Sequence, residues 1–194
     1  QYQPTRPLEV DGRRVVWEAC QTINGSWGYH RDNHDAKSVD MLVRMLAGSV
    51  ALGGNLLLNV GPTARGEVAT GDAALFAGVG EWMARHDRAV YGAGPAEYTP
   101  PSGVVYTQRG DKLYAHFFDW PFGLVDLPGL AGDVVFARLL HDGSEIRFRE
   151  IPADQQAFNL VPAAPPPGTL TLTLPVQRPE VAVPVIELTL RERS

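Results

Sequence analysis

A single cysteine, Cys20, in 194 residues excludes a disulfide within the chain and any zinc site built on several thiolates. Lysine is scarce too: Lys37 and Lys112 are the only two among 17 basic residues, and 22 acidic residues leave a formal net charge of −5. No basic excess or stripe is present, so no nucleic-acid partner is expected. No apolar run approaches the ~20 residues that span a bilayer, so no membrane-spanning helix is expected. The sequence lacks an initiator Met and a basic-then-apolar leader, and Gln1–Pro7 reads as the inside of a loop. It is therefore read as a piece of a longer chain. The compartment stays open, with secreted, periplasmic and lysosomal settings all compatible.

The residues that are present describe a globular protein with a change of grammar partway along. A hydrophobic fraction of 44% and a charged fraction of 20% exclude a disordered, coiled-coil or collagen-like chain. Of 16 prolines, 13 follow position 90. Before that point the pattern alternates strand and helix. Arg14–Thr22 reads as a strand, and residues 23–37 as a long polar loop. Ser38 caps a helix whose apolar face is Val39, Leu42, Val43, Leu46 and Val50, ended by Gly53-Gly54. Asn55–Val60 is a nearly continuous apolar strand of the kind buried in a parallel sheet. Asp72 then caps a second helix with Leu75, Val79, Trp82, Met83 and Val90 on one stripe. Such alternation predicts a parallel α/β architecture.

After Tyr91 the pattern becomes β. Val104–Gln108 and Leu113–Phe118 flank Gly110-Asp111, and Val134–Leu140 and Glu145–Arg149 flank Asp142-Gly143, which predicts two hairpins. Phe158–Val161, Thr169–Leu174 and Val185–Leu190 are further strand candidates, and Ala163–Gly168 is a stiff loop between two of them. Short strands with Pro/Gly joints predict an antiparallel sandwich. The boundary falls near Gly92–Ser102, giving units 1–95 and 96–194.

Three segments carry more than fold. The first is Trp17–Tyr29 (WEACQTINGSWGY). The second is Gly53–Pro62 (GGNLLLNVGP), followed by Gly66. The third is Gly80-Glu81-Trp82, followed by Ala89-Val90-Tyr91-Gly92. Taken together, in this order and spacing, they resemble the α-L-fucosidases, a family of retaining glycoside hydrolases. The resemblance covers roughly residues 14–92. It implies the last two βα units of a TIM-like (β/α) barrel, followed by a C-terminal β-sandwich. It also implies a fucosylated glycan or glycoside as substrate and no metal or other cofactor. Barrel sites lie at the C-terminal ends of the strands. Glu18, Cys20, Thr22, the 23–37 loop, Asn59 and Thr63 are therefore expected near the mouth.

Retaining hydrolysis needs a nucleophile and an acid/base ~5–5.5 Å apart. The family's nucleophile is an Asp in a tryptophan-containing motif on an earlier barrel strand. No such motif occurs here, so the attacking carboxylate and the missing N-terminal barrel portion are expected before Gln1, and residues 1–194 are expected to be inactive alone. Glu18 is the acid/base candidate, since a Glu desolvated beside Trp17 or Trp27 acquires the raised pKa that this role requires. A structural carboxylate is the plainer reading of Glu18. Trp27 is the substrate-binding candidate, because an aromatic ring buries the methyl group and apolar face of a deoxy sugar. Packing the loop down is its plainer reading.

Other signals have ordinary explanations. His30, Asp32, His34 and Asp35 form a polar cluster that reads as solvated loop rather than metal site. Cys20 has no partner arrangement for nucleophilic work and reads as a small buried thiol. Gly61–Gly66 lacks the Lys-Ser/Thr ending of a phosphate loop. Asn24-Gly25-Ser26 matches a glycosylation sequon, and Arg109-Gly110-Asp111 a hairpin turn. Tyr106, Tyr114, Phe117, Phe118, Trp120 and Phe122 fit a sugar platform or, more simply, a sandwich core. Two alternatives stay open beside the fucosidase reading: a non-catalytic carbohydrate-binding or structural β-sandwich module, and another barrel glycosidase. Two βα units cannot close a barrel, so a chain of residues 1–194 alone is expected to self-associate.

Overall fold

A computed structural model describes residues 4–151 and 166–192. The strand expected at Phe158–Val161, and the first part of the loop at 163–168, lie outside the described residues. The chain divides into two compact units, 1–95 and 96–194.

The first unit begins with a small hairpin, β1 (Glu9–Val10) and β2 (Arg13–Arg14), where a loop is expected from the sequence. Its turn is Asp11-Gly12, with φ +51° and +72°. Two positive φ values are what a tight hairpin demands, and Asp-Gly is its usual pair. Arg14 therefore belongs to this hairpin, and β3 runs only from Trp17 to Thr22. Next come α1 (Val39–Ala51), β4 (Gly54–Asn59) and α2 (Thr70–His86), then a single 3-10 turn (Asp87–Ala89) and β5 (Gly94–Pro95).

Ser38 caps α1 as its position predicts: its hydroxyl accepts the Met41 N–H at 3.2 Å, and Asp40 sits in the first turn. Gly53, at φ +79°, takes the left-handed turn out of the helix. Asp72 does not cap α2. Ala69 holds the cap position, and Asp72 lies inside the first turn, where its charge suits the helix dipole. Leu42, Val43, Ala47 and Val50 of α1 and Trp82 of α2 are buried. A Cβ on Gly78 would lie 2.6 Å from the Val39 side chain, so this glycine lets the two helices approach closely.

β3 and β4 pair in parallel and in register, from Trp17 opposite Gly54 to Thr22 opposite Asn59. The lower end is locked by shape. A Cβ on Gly54 would lie 2.3 Å from the Trp17 ring, and Trp17 Nε1–H donates to the Leu52 carbonyl at 3.0 Å.

The second unit is built of antiparallel strands: β6 (Val104–Arg109), β7 (Lys112–Phe117), β8 (Leu124–Pro128), β9 (Val134–Leu139), β10 (Arg147–Ile151), β11 (Thr169–Thr173) and β12 (Val185–Leu190). One sheet has the order β10-β11-β8, and within this unit the other runs β6-β7-β12-β9. Their inner faces share one core, with Leu127, Leu170 and Leu172 from the first sheet and Leu113, Phe117, Ile186 and Leu188 from the second. The β6–β7 hairpin turns at Gly110-Asp111 as expected.

The second expected hairpin is only half formed. Asp142-Gly143 does turn the chain, and Ile146 N–H still bonds the Ala137 carbonyl. From Arg147 on, however, the strand pairs with β11 in the opposite sheet. Buried Ile146 marks the crossing, so the sequence signal identified the turn but not the change of sheet. β11 also departs from simple alternation. Thr169 and Thr171 are as buried as Leu170 and Leu172, and the Thr171 hydroxyl donates to Asp126 at 2.6 Å. Tyr106, Tyr114 and Phe117 are buried, so the aromatic set is not a surface platform; Phe122 alone of it is exposed.

Tyr106 is buried in this core, and its hydroxyl has no hydrogen-bond partner among the described residues. Burial drives its pKa far above the ordinary phenol value. A buried hydroxyl without a partner costs about 1–3 kcal/mol of desolvation. Tyr106→Phe is therefore expected to leave the melting temperature unchanged or raise it, as measured by thermal denaturation. A clear fall would mean that the hydroxyl is bonded in solution.

Candidate functional site

Parallel, in-register pairing puts the C-terminal ends of β3 and β4 side by side, at Thr22 and Asn59. The chain segments that follow each strand therefore emerge at the same end. Residues 23–38 form a long irregular segment leading into α1, and residues 60–69 lead into α2.

That first segment is tied down at several points. Ile23 N–H donates to the Asn59 carbonyl at 3.2 Å, and Lys37 N–H donates to the Ile23 carbonyl at 2.8 Å. Lys37 Nζ donates to the Thr22 carbonyl at 2.6 Å, so one of the two lysines of the chain fastens the loop to the strand end. Asn59 Nδ2–H donates to the Trp27 carbonyl at 2.8 Å. The Asn24 side chain accepts the Ser26 N–H at 2.8 Å, and the Thr22 hydroxyl donates to the Asn24 carbonyl. Gly61 packs directly beneath the loop: a Cβ there would lie 2.3 Å from Tyr29 N and 2.4 Å from the Gly28 carbonyl carbon.

Pairing in register also sorts side chains by face. Ala19 and Gln21 are buried, whereas Glu18 and Cys20 are exposed. Opposite them, Asn55 and Leu57 are exposed as well. The sheet therefore has one covered face and one open face carrying Glu18, Cys20, Asn55 and Leu57. Cys20 is not the buried thiol that composition favours. Glu18 is not desolvated here, and its side chain has no hydrogen bond or ion pair among the described residues. It is the second residue of β3, about 13 Å below Thr22 at ~3.3 Å per residue. It thus lies toward the start of the strand rather than at its mouth. Glu18 is the one carboxylate on these two strands.

Trp27 is 61% exposed, with its backbone fixed by Asn59. A concavity of about 390 Å³ opens at this same end, between the loop and the start of α2, lined among others by Asn24, Tyr29, His30, His34, Asp72 and Leu75. Trp27 is not among its lining residues, so the loop turns its two aromatic residues to different surroundings. Sequence reasoning treated Tyr29 only as part of a motif. The signal that would have singled it out is Gly61, whose missing Cβ admits the Tyr29 backbone. The His30–Asp35 cluster is largely solvated, with Arg31 paired to Asp32 at 3.0 Å. Among the described residues, no three His, Cys, Asp or Glu side chains come together as a metal site would require.

Gly61→Ala is expected to destabilise the protein, because its neighbours are backbone and cannot rotate away; crowding of this kind costs about 1–3 kcal/mol. Thermal denaturation should register the loss. Limited proteolysis should show faster cutting within residues 24–36, and unchanged cutting there would mean that Gly61 does not hold the loop.

Comparison with known proteins adds a family. The α-L-fucosidase family model matches residues 2–88. The α-L-fucosidase of Branchiostoma floridae is 40% identical over 111 residues, covering 54% of this chain and 25% of its own. The tissue α-L-fucosidase of Bos taurus is 30% identical over 156 residues, covering 77% of this chain and 33% of its own. The chain thus spans about a quarter to a third of the length of these relatives. Among solved structures, α-L-fucosidase isoenzyme 1 from Paenibacillus thiaminolyticus superposes with a TM-score of 0.86 at 39% identity, over 99% of this chain and 44% of that one. An α-L-fucosidase from Bacteroides thetaiotaomicron, trapped as a covalent intermediate with 2-fluoro-fucosyl fluoride, superposes with a TM-score of 0.79 at 25% identity, over 98% of this chain and 42% of that one.

Proposed function

Because the chain belongs to the α-L-fucosidase family, we propose that residues 1–194 are the closing portion of a retaining α-L-fucosidase that removes terminal fucose from glycans or glycosides. In this reading residues 1–95 supply the last two βα units of a TIM-like barrel, and residues 96–194 the C-terminal β-sandwich. The remaining barrel strands, and with them the nucleophilic Asp, come from sequence outside residues 1–194. The observation that carries the reading is the open face of the β3–β4 pair. It turns Glu18, Cys20, Asn55 and Leu57 away from α1, toward where a barrel interior lies, and side chains of neighbouring barrel strands stack there in layers.

Within this reading Glu18 is the proton donor to the glycosidic oxygen. Closing the barrel over its face removes water from it, as an acid/base requires. The partner carboxylate stands ~5–5.5 Å away and attacks the anomeric carbon. Trp27 covers the apolar side and methyl group of fucose. Thr22, Asn59 and Lys37 hold the loop that presents it.

The test uses the complete reading frame that contains residues 1–194. It is expected to release fucose from an aryl α-L-fucoside with retention of configuration, followed by proton NMR. Glu18→Gln should slow hydrolysis about 10²–10⁴-fold, and most for poor leaving groups, which need the proton. Trp27→Ala should raise KM for the fucoside. Absence of fucose release from the complete frame overturns the family activity for this protein. A Glu18→Gln rate within twofold of wild type removes Glu18 from the mechanism.

A further inference from the structure

We propose that Asn24-Gly25 is a self-modification site, at which the Gly25 backbone nitrogen attacks the Asn24 side-chain carbonyl and converts Asn24 to aspartate and isoaspartate. The Gly25 amide gives its proton to hydroxide, and its nitrogen bonds the Asn24 Cγ. The Cγ–Nδ2 bond breaks, and ammonia leaves with a proton from water, which restores the hydroxide. A cyclic imide then joins Cγ to the Gly25 nitrogen. Water opens the ring at one of its two carbonyls. Opening at Cγ leaves aspartate in an ordinary backbone. Opening at the main-chain carbonyl leaves isoaspartate, whose backbone runs through Cβ and Cγ. Water is the one co-reactant consumed.

Of the five asparagines in the chain, only Asn24 precedes a glycine. Without a Cβ, the following nitrogen is open to attack and its backbone turns easily toward the carboxamide. The fold adds geometry to this. Asn24 Oδ1 accepts the Ser26 N–H at 2.8 Å, which closes an Asx turn. The ring so formed contains the Gly25 nitrogen, so the carboxamide carbon is folded back toward its nucleophile. The same N–H stands ready for the charge that Oδ1 acquires during attack. Ser26 is itself fixed, its hydroxyl donating to the Gly28 carbonyl at 2.9 Å. On the other side of the reacting pair, the Asn24 main-chain carbonyl accepts from the Thr22 hydroxyl and, at 3.4 Å, from Lys37 Nζ. Both donors draw charge out of the Asn24–Gly25 amide, which eases departure of its proton. Gly25 is exposed and its N–H makes no hydrogen bond among the described residues, so hydroxide reaches it.

Asn33 supplies an internal comparison. It lies in the same loop and makes the same turn, with Oδ1 accepting the Asp35 N–H at 3.0 Å, but His34 follows it and its side chain crowds the nitrogen. The reaction has a structural consequence at Asn24. Either product sets a carboxylate two residues beyond β3. Isoaspartate also lengthens the backbone by one methylene between Ile23 and Trp27, both of which are tied to Asn59. Under the fucosidase reading, on which this last step alone rests, the displaced Trp27 raises KM for the fucoside.

The complete reading frame that contains residues 1–194 is incubated at neutral and mildly alkaline pH and then digested with trypsin, which releases residues 15–31 and 32–37 as separate peptides. The first peptide should gain about 1 Da and split into two chromatographic forms, faster at the higher pH, while the second keeps its mass. Gly25→Ala should slow the gain by about tenfold or more. Circular dichroism should be unchanged in this variant, since a Cβ there meets nothing within 4 Å and the Gly25 φ is not positive. Three results overturn the proposal: no mass gain in residues 15–31, an equal gain in residues 32–37, or an equal rate in Gly25→Ala. KM for an aryl α-L-fucoside should rise with the converted fraction in the wild type and hold steady on incubation of Gly25→Ala. Conversion with a constant KM removes the link to Trp27. Conversion without fucoside hydrolysis supports the modification site while removing the fucosidase reading. Hydrolysis without conversion removes the modification site alone.

Discussion

The first unit depends on the register of two parallel strands. Sliding β3 against β4 by one residue would send the core-facing side chains of β3 to the open face. The register is set at its lower end by Trp17 and Gly54, where the ring occupies the space a Cβ would need and the indole N–H reaches the Leu52 carbonyl. That contact also ties β3 to the C-terminal end of α1. With the lower end locked, Thr22 meets Asn59 five residues on, and the two following segments must share one end of the sheet. The candidate site is a consequence of that constraint rather than an addition to it.

A segment as long as residues 23–38 without regular structure is uncommon in a compact unit, and such segments are usually functional. Ordering it costs entropy at every residue. The contacts that offset this cost are concentrated at its ends, through Ile23, Lys37 and Asn59, and at one mid-loop point, where Gly61 lies against Gly28 and Tyr29. Between those anchors His30, Arg31 and His34 stay exposed. A loop anchored this way has a fixed backbone beneath exposed side chains.

Much of this was legible in the sequence because local rules govern it. The Ser38 cap, the apolar stripe of α1, the parallel pairing of its flanking strands and the Gly110-Asp111 turn all follow from short-range chemistry. What was not legible depends on distant partners. Asp72 reads as a cap until Ala69 is seen to hold that position. Glu145–Arg149 reads as the return arm of a hairpin until β11 claims the chain from Arg147 on. Cys20 reads as buried because free thiols usually are, yet the register sets it beside Leu57 on the open face. The sequence singles out Trp27 and leaves Tyr29 as part of the motif, and only the packing of Gly61 and the cavity shows that Tyr29 has a different setting.

The open face itself has an order that a simple solvent face lacks. Pairing in register stacks the residues of this side in rows: Glu18 with Asn55, Cys20 with Leu57, and above them the buried Thr22 with Asn59. Polar rows enclose an apolar one, and Leu57 is 44% exposed in it. A face that met only water would gain nothing from an aliphatic row at its centre, whereas a covered face would bury it at about 25 cal/mol per Å². The same order sets a condition on the chemistry. Glu18 lies below the Cys20–Leu57 row and about 13 Å from the strand end. In the proposed reading, Glu18 reaches a glycosidic oxygen only if the saccharide passes below Thr22 and Asn59. The anchored 23–38 segment stands at the upper end of that path, with the Trp27 carbonyl held by Asn59, so the depth of Glu18 and the position of the loop bear on the same ligand.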